Sequence, residues 1–298
     1  MSADAPPLTL NELFRLSGIA ENDVLVFRHR PNEPDLNRVF DWIIAERPDL
    51  FDCYQSNHGR KTESALSNAR FLASFIRHKP GTALFVGFYE VASSRELSVE
   101  ECMRRPLHRE LMSFGMTGMK ATEGRESVIE FDLRLTDWHA KWRGKLIVRW
   151  PGLERSWYRW ADRNEFAIEA IALEDLLTPR MPDWQQLTVN WNELELLPAS
   201  WCMQLREWRG VYLIIDQGDG KQYVGSACGS ENILQRWRDY SRSGHGGNRL
   251  LRGRNPANFR FSILERTSPD MPSDQVVSIE ASWKDRLRTH APAGLNDN

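Results

Sequence analysis

The stretch Gly210–Ala227 reads GVYLIIDQGDGKQYVGSA, and its reading decides the fold of the C-terminal part of the chain. Two apolar runs, VYLIID and KQYVG, flank the turn residues QGDG, the pattern of a β-hairpin with a four-residue loop. Pairing Asp216 with Lys221 puts Ile214 opposite Tyr223 and Tyr212 opposite Gly225. Both tyrosines then project from one face as diagonal neighbours, about 7–8 Å apart at most, with open space beside Tyr212 where Gly225 has no side chain. Aromatic pairs are common in strands for packing alone, so the hairpin by itself leaves packing and chemistry both open.

The residues that follow bear on that choice. GSENILQRWRDYSRSG predicts a helix capped by Ser230 and ended by Gly244, with Ile233, Leu234 and Trp237 turned inward and Arg236 and Tyr240 one turn apart on a shared face. Further on, SDQVVSIEASWKDRL predicts a helix capped by Ser273, with Val276, Glu280, Trp283 and Leu287 on one stripe. A carboxylate on an apolar face is costly unless a cation meets it; a metal ion would do so, and so would Lys284 four residues on.

This ordered set resembles the GIY-YIG nuclease domain. Gly210-Val211-Tyr212 stands for the first motif and Tyr223-Val224-Gly225 for the second, with valine in place of isoleucine in both. Arg236 matches the family's helical arginine, Tyr240 the residue one turn later, Glu280 the acidic metal ligand and Asn296 the terminal asparagine. The resemblance covers about residues 209–298. It implies a small three-stranded antiparallel sheet flanked by helices, one Mg²⁺ or Mn²⁺ on Glu280, phosphate held by Arg236, and Tyr212 as general base with Tyr223 and Tyr240 orienting nucleophile or phosphate. His245 is a possible accessory or a plain loop histidine, and Asn248 a weaker candidate.

From Arg236 to Arg260 there are seven arginines, Arg236, Arg238, Arg242, Arg249, Arg252, Arg254 and Arg260, against one acid, Asp239. Such a cluster suits tracking of DNA phosphates, whereas a merely solvated face mixes both signs. The whole chain has a formal net charge of −2, which excludes an electrostatic grip on nucleic acid spread over its entire surface and leaves only local basic patches.

The 298 residues suffice for two domains. Upstream, LNRVFDWIIAERPDLF and KTESALSNARFLASFIRH show helical spacing, and GTALFVGFYEVAS, SVIEFDLRL, GKLIVRW, SWYRW and FAIEAIAL read as strands. An α+β N-terminal domain around a small curved sheet or barrel is expected over residues 1–200, then a connector over about 178–207, then the nuclease domain over 201–298. The tracts RHR, MRRPLHR and KWRGKLIVRW…RSWYRW interleave arginine with aromatic residues, suiting either phosphate contact with stacking on a flipped or modified base, or amphipathic strands with tryptophan inward. The twelve tryptophans fit core and domain contacts.

Four cysteines without a CxxC pair fit reduced thiols in a cytoplasmic protein rather than a disulfide frame or zinc site. The opening MSADAPPLTLNELF lacks the features of a signal peptide, and no run has the length of a membrane span. The resemblance therefore implies a metal-dependent endonuclease acting on double-stranded DNA, of restriction or phage-defence type, with a homodimer as one arrangement that would cut both strands and the N-terminal domain reading the target. A structure-specific repair or mobile-element nuclease and a DNA-binding module with a silent site are the other readings left open.

Overall fold

The computed structural model describes residues 7–117, 125–152 and 156–297; Arg155 of the basic tract and the first six residues lie outside these. Contacts divide the chain into two compact units, Met1–Pro179 and Arg180–Asn298. The protein is α+β throughout, with α1 (Leu10–Leu16), α2 (Pro34–Glu46), α3 (Pro48–Gln55), α4 (Arg60–Leu66), α5 (Val99–Arg104) and α6 (Pro106–Ser113) in the first unit and α7 (Ala199–Glu207) opening the helices of the second, and each unit has its own sheet.

The first unit is a curled half-barrel of seven strands. β1 (Val24–His29), β2 (Phe71–Arg77) and β3 (Thr82–Ser98) form its centre, with β4 (Ser127–Leu135), β5 (Leu146–Arg149), β6 (Tyr158–Trp160) and β7 (Ile168–Ile171) beyond. β1 and β2 run parallel, and every other pairing is antiparallel. The seventeen-residue β3 pairs with β2 and β5 by its first half and with β4 by its second. Register shifts between Ser74 and Phe75 and between Val91 and Ser93 mark the irregular points of these ladders, where the twist that curls a sheet is concentrated. All six residues of β1 are buried: Val24 and Val26 join a core with Phe14, Phe75, Phe85, Phe88 and Trp150, while Phe27 and His29 meet aromatic rings outside that cluster.

One expectation for this unit needs correction. The stretch 61–78, expected as one helix, is a helix only over Arg60–Leu66 and then becomes β2. FLASFIR is buried at five of its seven positions, and a strand covered on both faces loses the alternation that identifies it. The basic–aromatic tracts are mixed: Arg28 is buried with its guanidinium 5.7 Å from the Trp150 ring, Arg105 is half-buried and pairs with Glu130, and Arg149 is exposed beside the buried Trp150 and pairs with Glu169, while Arg30, Arg104 and Arg109 are exposed.

The second unit is a four-stranded antiparallel sheet in the order β10-β9-β11-β8, with β8 (Thr188–Asn190), β9 (Arg209–Asp216), β10 (Gln222–Ala227) and β11 (Phe259–Thr267). The expected connector supplies its fourth strand: β8 pairs with β11 through Val189 and Phe261, both buried, so this unit begins about twenty residues before the expected boundary at 200/201. α8 (Asn232–Ser243) covers one face through Ile233, Leu234 and Trp237. α9 (Ser273–Leu287) covers the other, where Ile279, Trp283 and Leu287 meet Val211, Leu213 and Val224. Neither expected serine cap forms. Glu231 precedes α8 and Pro272 precedes α9, both without a side-chain cap, and the Ser273 hydroxyl accepts a hydrogen bond from Arg209 instead. Gly244 does end α8, in the left-handed conformation.

Candidate active site

The hairpin forms in the expected register, with Tyr223 opposite Ile214 and Gly225 opposite Tyr212. The space beside Gly225 is filled rather than open: a Cβ there would lie 2.5 Å from the Tyr212 hydroxyl and 2.9 Å from the Tyr223 ring. Gly210 is constrained by backbone, since it sits at φ 154° and a Cβ would meet the Glu265 carbonyl at 2.0 Å. The first glycine thus lets β9 approach the irregular part of β11, and the second lets two phenols share one patch of sheet. Close approach without a side chain is what only glycine provides.

α8 brings Arg236 and Tyr240 to this patch. The Tyr212 and Tyr240 hydroxyls are 3.1 Å apart, and the Arg236 Nε–H points at the Tyr212 oxygen from 3.4 Å. The Arg236 guanidinium also lies 5.7 Å from the Tyr240 ring. Beyond the helix, Asn248 joins the remaining members: its Oδ1 accepts from the Tyr223 hydroxyl at 3.0 Å and its Nδ2 donates to the Tyr240 oxygen at 2.7 Å. Asn248, the weaker candidate on sequence, is thus the hub of the network. The only local signal for it is its place after the glycine-rich turn GHGG, and that does not reveal a bond to a strand. His245 shapes this turn, its Nδ1 accepting from the Gly247 amide at 2.9 Å.

Burial sets the protonation of the phenols. It raises the pKa of Tyr212 despite the opposing charge of Arg236; burial and then the neighbouring Tyr212 raise Tyr223; burial, then Tyr212 and Tyr223, raise Tyr240 strongly. All three are neutral phenols at neutral pH in the free protein. Arg236 is itself destabilised as a cation by burial, but the surrounding phenols more than offset this and hold its pKa above the ordinary arginine value.

Glu280 is mostly buried, with its side chain 14 % exposed, and its carboxylate lies 2.8 Å from the Lys284 ammonium. The ion pair four residues on is therefore formed in the free protein. The charge of Glu280 also adds, as a minor cause behind burial, to the raised pKa of Tyr212 and Tyr223. Among the described residues no group of three or more His, Cys, Asp and Glu side chains could hold a metal. A lone carboxylate still fits a hard divalent ion that keeps most of its waters and binds phosphate oxygens directly, and the position of Lys284 shows that this carboxylate takes a cationic partner.

Asn296 does not reach the phenols. Buried to 1 %, it accepts from the Val224 amide at 2.9 Å and donates to the Val224 carbonyl at 2.8 Å, closing the outer edge of β10. Of the basic cluster, Arg254 is spent on the hairpin, bonding Asp216 at 2.6 Å and Asp219 at 3.1 Å. Arg249 pairs with Asp297 at 2.6 Å, and Arg238 lies 3.7 Å from Glu231. Arg242 and Arg252 are exposed and make no ion pair among the described residues, which leaves them best placed for a phosphate backbone.

No match to the chain is found among curated proteins or among solved structures. The model of the GIY-YIG catalytic domain matches residues 209–296, a span that contains both motif tyrosines, Arg236, Tyr240, Asn248, Glu280 and Asn296. The C-terminal part of this chain is a GIY-YIG catalytic domain, of nuclease type.

Proposed function

We propose that the chain is a divalent-metal-dependent endonuclease of double-stranded DNA, of restriction or phage-defence type, whose first unit selects the target. The observation that carries the reading is the hydrogen-bonded set of Tyr212, Tyr240, Asn248 and Tyr223 beside Arg236, inside the family match.

Hydrolysis forms a bond from water oxygen to phosphorus, breaks the bond to the 3′ oxygen, takes a proton from the water and returns one to the leaving oxygen. Arg236 presents a planar cation to the phosphate. Tyr212 is the proposed proton acceptor, with the charge of Arg236 favouring its phenolate and burial opposing it. Tyr223 and Tyr240, fixed by Asn248, orient water and phosphate. A divalent ion, Mg²⁺ or Mn²⁺ held by Glu280, supplies charge stabilisation at the phosphate when bound. One such centre cuts one strand, so cutting both strands together calls for a homodimer.

The test is a panel of phage DNA with and without base modification, set beside branched and nicked duplexes, under Mg²⁺ or Mn²⁺. Discrete fragments from linear phage DNA, dependent on modification status, support the restriction reading. Cutting confined to branched or nicked DNA would replace it with a structure-specific repair nuclease, and binding without cutting on every substrate would leave a DNA-binding module.

A further inference from the structure

The charged residues of α9 are not treated alike. Asp274, Asp285 and Arg286 are exposed, whereas Glu280 is mostly covered and Lys284 is, with Val276, one of the two buried residues of the helix. Lysine is poorly suited to such a place, because its ammonium is a compact, strongly hydrated point charge that loses its water on burial. The Lys284 side chain is nevertheless only 10 % exposed, and its ammonium lies 2.8 Å from Glu280 Oε1.

Helix geometry makes the contact. Side chains tilt towards the helix N-terminus, so a lysine reaches back to a glutamate four residues earlier. The main chain fixes where that lysine sits. The Lys284 carbonyl accepts from the Thr289 amide at 3.0 Å, where Arg288, in the left-handed conformation, ends α9. The Thr289 carbonyl accepts from the Asn296 amide at 2.8 Å, and the Asn296 side chain is bonded to Val224 of the second motif. Lys284 is thus tied through two turns of chain to the strand that carries Tyr223.

Stability does not account for the pair. Exposed ion pairs at this spacing contribute little, and a buried pair supports a fold no better than apolar residues of similar volume do. What the pair does change is the charge offered at Glu280. A lone carboxylate presents a full negative charge to a cation; the same carboxylate beside an ammonium presents almost none. A divalent ion brought to Glu280 with Lys284 still in place would also be repelled by that ammonium at close range, where screening is weakest.

We propose that Lys284 is an internal counter-cation that closes the Glu280 carboxylate in the free protein, so that a divalent ion is taken up only as the ammonium is displaced. The inference rests on the reading of Glu280 as the metal ligand. It gives Lys284 two effects: it lowers the affinity of the free protein for the ion, and it keeps the domain stable without one.

The probe is Mn²⁺, titrated into the metal-free full chain without DNA and followed by the paramagnetic resonance of the unbound ion. Lys284→Met, which keeps most of the side chain and removes its charge, should bind Mn²⁺ about tenfold or more tighter than the wild type. Glu280→Gln should lose that binding. Arg286→Met removes the same charge from an exposed position two residues on and should match the wild type, which separates a displaced contact from a change in net charge. Thermal unfolding supplies a second readout: Lys284→Met should melt below the wild type without the ion and gain more from saturating Mn²⁺. If Lys284→Met fails to fold, Lys284→Gln, whose amide still donates to a carboxylate, is read in its place with the same expectation.

Wild-type or weaker affinity in the Lys284 variant, or an equal gain in Arg286→Met, overturns the proposal; loss of the ion in Glu280→Gln would then still leave Glu280 as the ligand. Undiminished binding by Glu280→Gln overturns the metal assignment itself, and the role of Lys284 with it.

Discussion

Asn296 is joined to Val224 by two hydrogen bonds, accepting from its amide at 2.9 Å and donating to its carbonyl at 2.8 Å. The side chain thus does for β10 what a fifth strand would do, and the adjacent Leu295 amide continues the pattern onto the Gln222 carbonyl at 2.8 Å. The family's terminal asparagine is here a positioning residue. Asn296→Ala should leave two buried backbone groups unpaired and destabilise the domain by about 1–3 kcal/mol, read as a lowered midpoint in thermal unfolding. An unchanged midpoint would mean that the edge holds without it.

Tyr223 contributes one hydroxyl to the network, bonded to Asn248. Tyr223→Phe should cost about 0.5–1.5 kcal/mol of stability while lowering the cleavage rate by about 10²-fold or more. Denaturant unfolding and cleavage rates on the same preparation separate the two, and a rate that falls only as far as the folded fraction does would reduce Tyr223 to packing.

Gly225→Ala tests the close approach of the motif. With a Cβ placed 2.5 Å from the Tyr212 hydroxyl, either the phenol or the strand must move, at about 1–3 kcal/mol. Loss of cleavage should exceed what that destabilisation explains, because the Tyr212–Tyr240 contact at 3.1 Å is displaced. Wild-type cleavage by the alanine variant would show that the phenol's position is not critical.

His29 and His58, both buried in the first unit, make its stability depend on acid. Their folded pKa values of about 3 and about 4 lie below the ordinary 6.5, so the unfolded chain takes up protons first as pH falls. Stability is fully present above pH 6.5 and declines from there towards pH 3–4, by about 1.4 kcal/mol per pH unit for each ring. Unfolding midpoints followed from pH 7 to pH 4 should fall less steeply in His58→Phe than in the wild type, and parallel curves would contradict the burial of a neutral ring.

Much of the second unit was legible because its signals are local. The spacing of Tyr212, Gly225 and Tyr223 around a polar loop fixed the hairpin register, and the positions of Ile233, Leu234 and Trp237 fixed the buried face of α8. What escaped depends on distant partners. Nothing near Asn248 reveals that it will bridge Tyr223 and Tyr240, nor near Arg254 that it will bind Asp216 instead of a phosphate. β8 has three residues, too few for a period. The doubly buried β2 also escapes, because Phe71, Leu72, Phe75 and Ile76 fit a helical spacing as well as a covered strand.

Arg236 distinguishes charge from shape. Arg236→Lys keeps a cation but loses the planar fork, so cleavage should fall by about 10²-fold or more while DNA affinity, proposed to reside in the first unit and in exposed arginines such as Arg242 and Arg252, should change little. Parallel loss of binding and cleavage, measured by gel shift and by strand scission, would contradict that division of roles.

The most direct test of the central claim is cleavage of linear duplex phage DNA by the purified chain with Mg²⁺ or Mn²⁺, beside Glu280→Gln, which keeps the shape next to Lys284 and removes the negative charge. The account predicts fragments from the wild type in the presence of the ion, none with EDTA, and none from Glu280→Gln at unchanged folding. Equal cleavage by the wild type and by Glu280→Gln would contradict it.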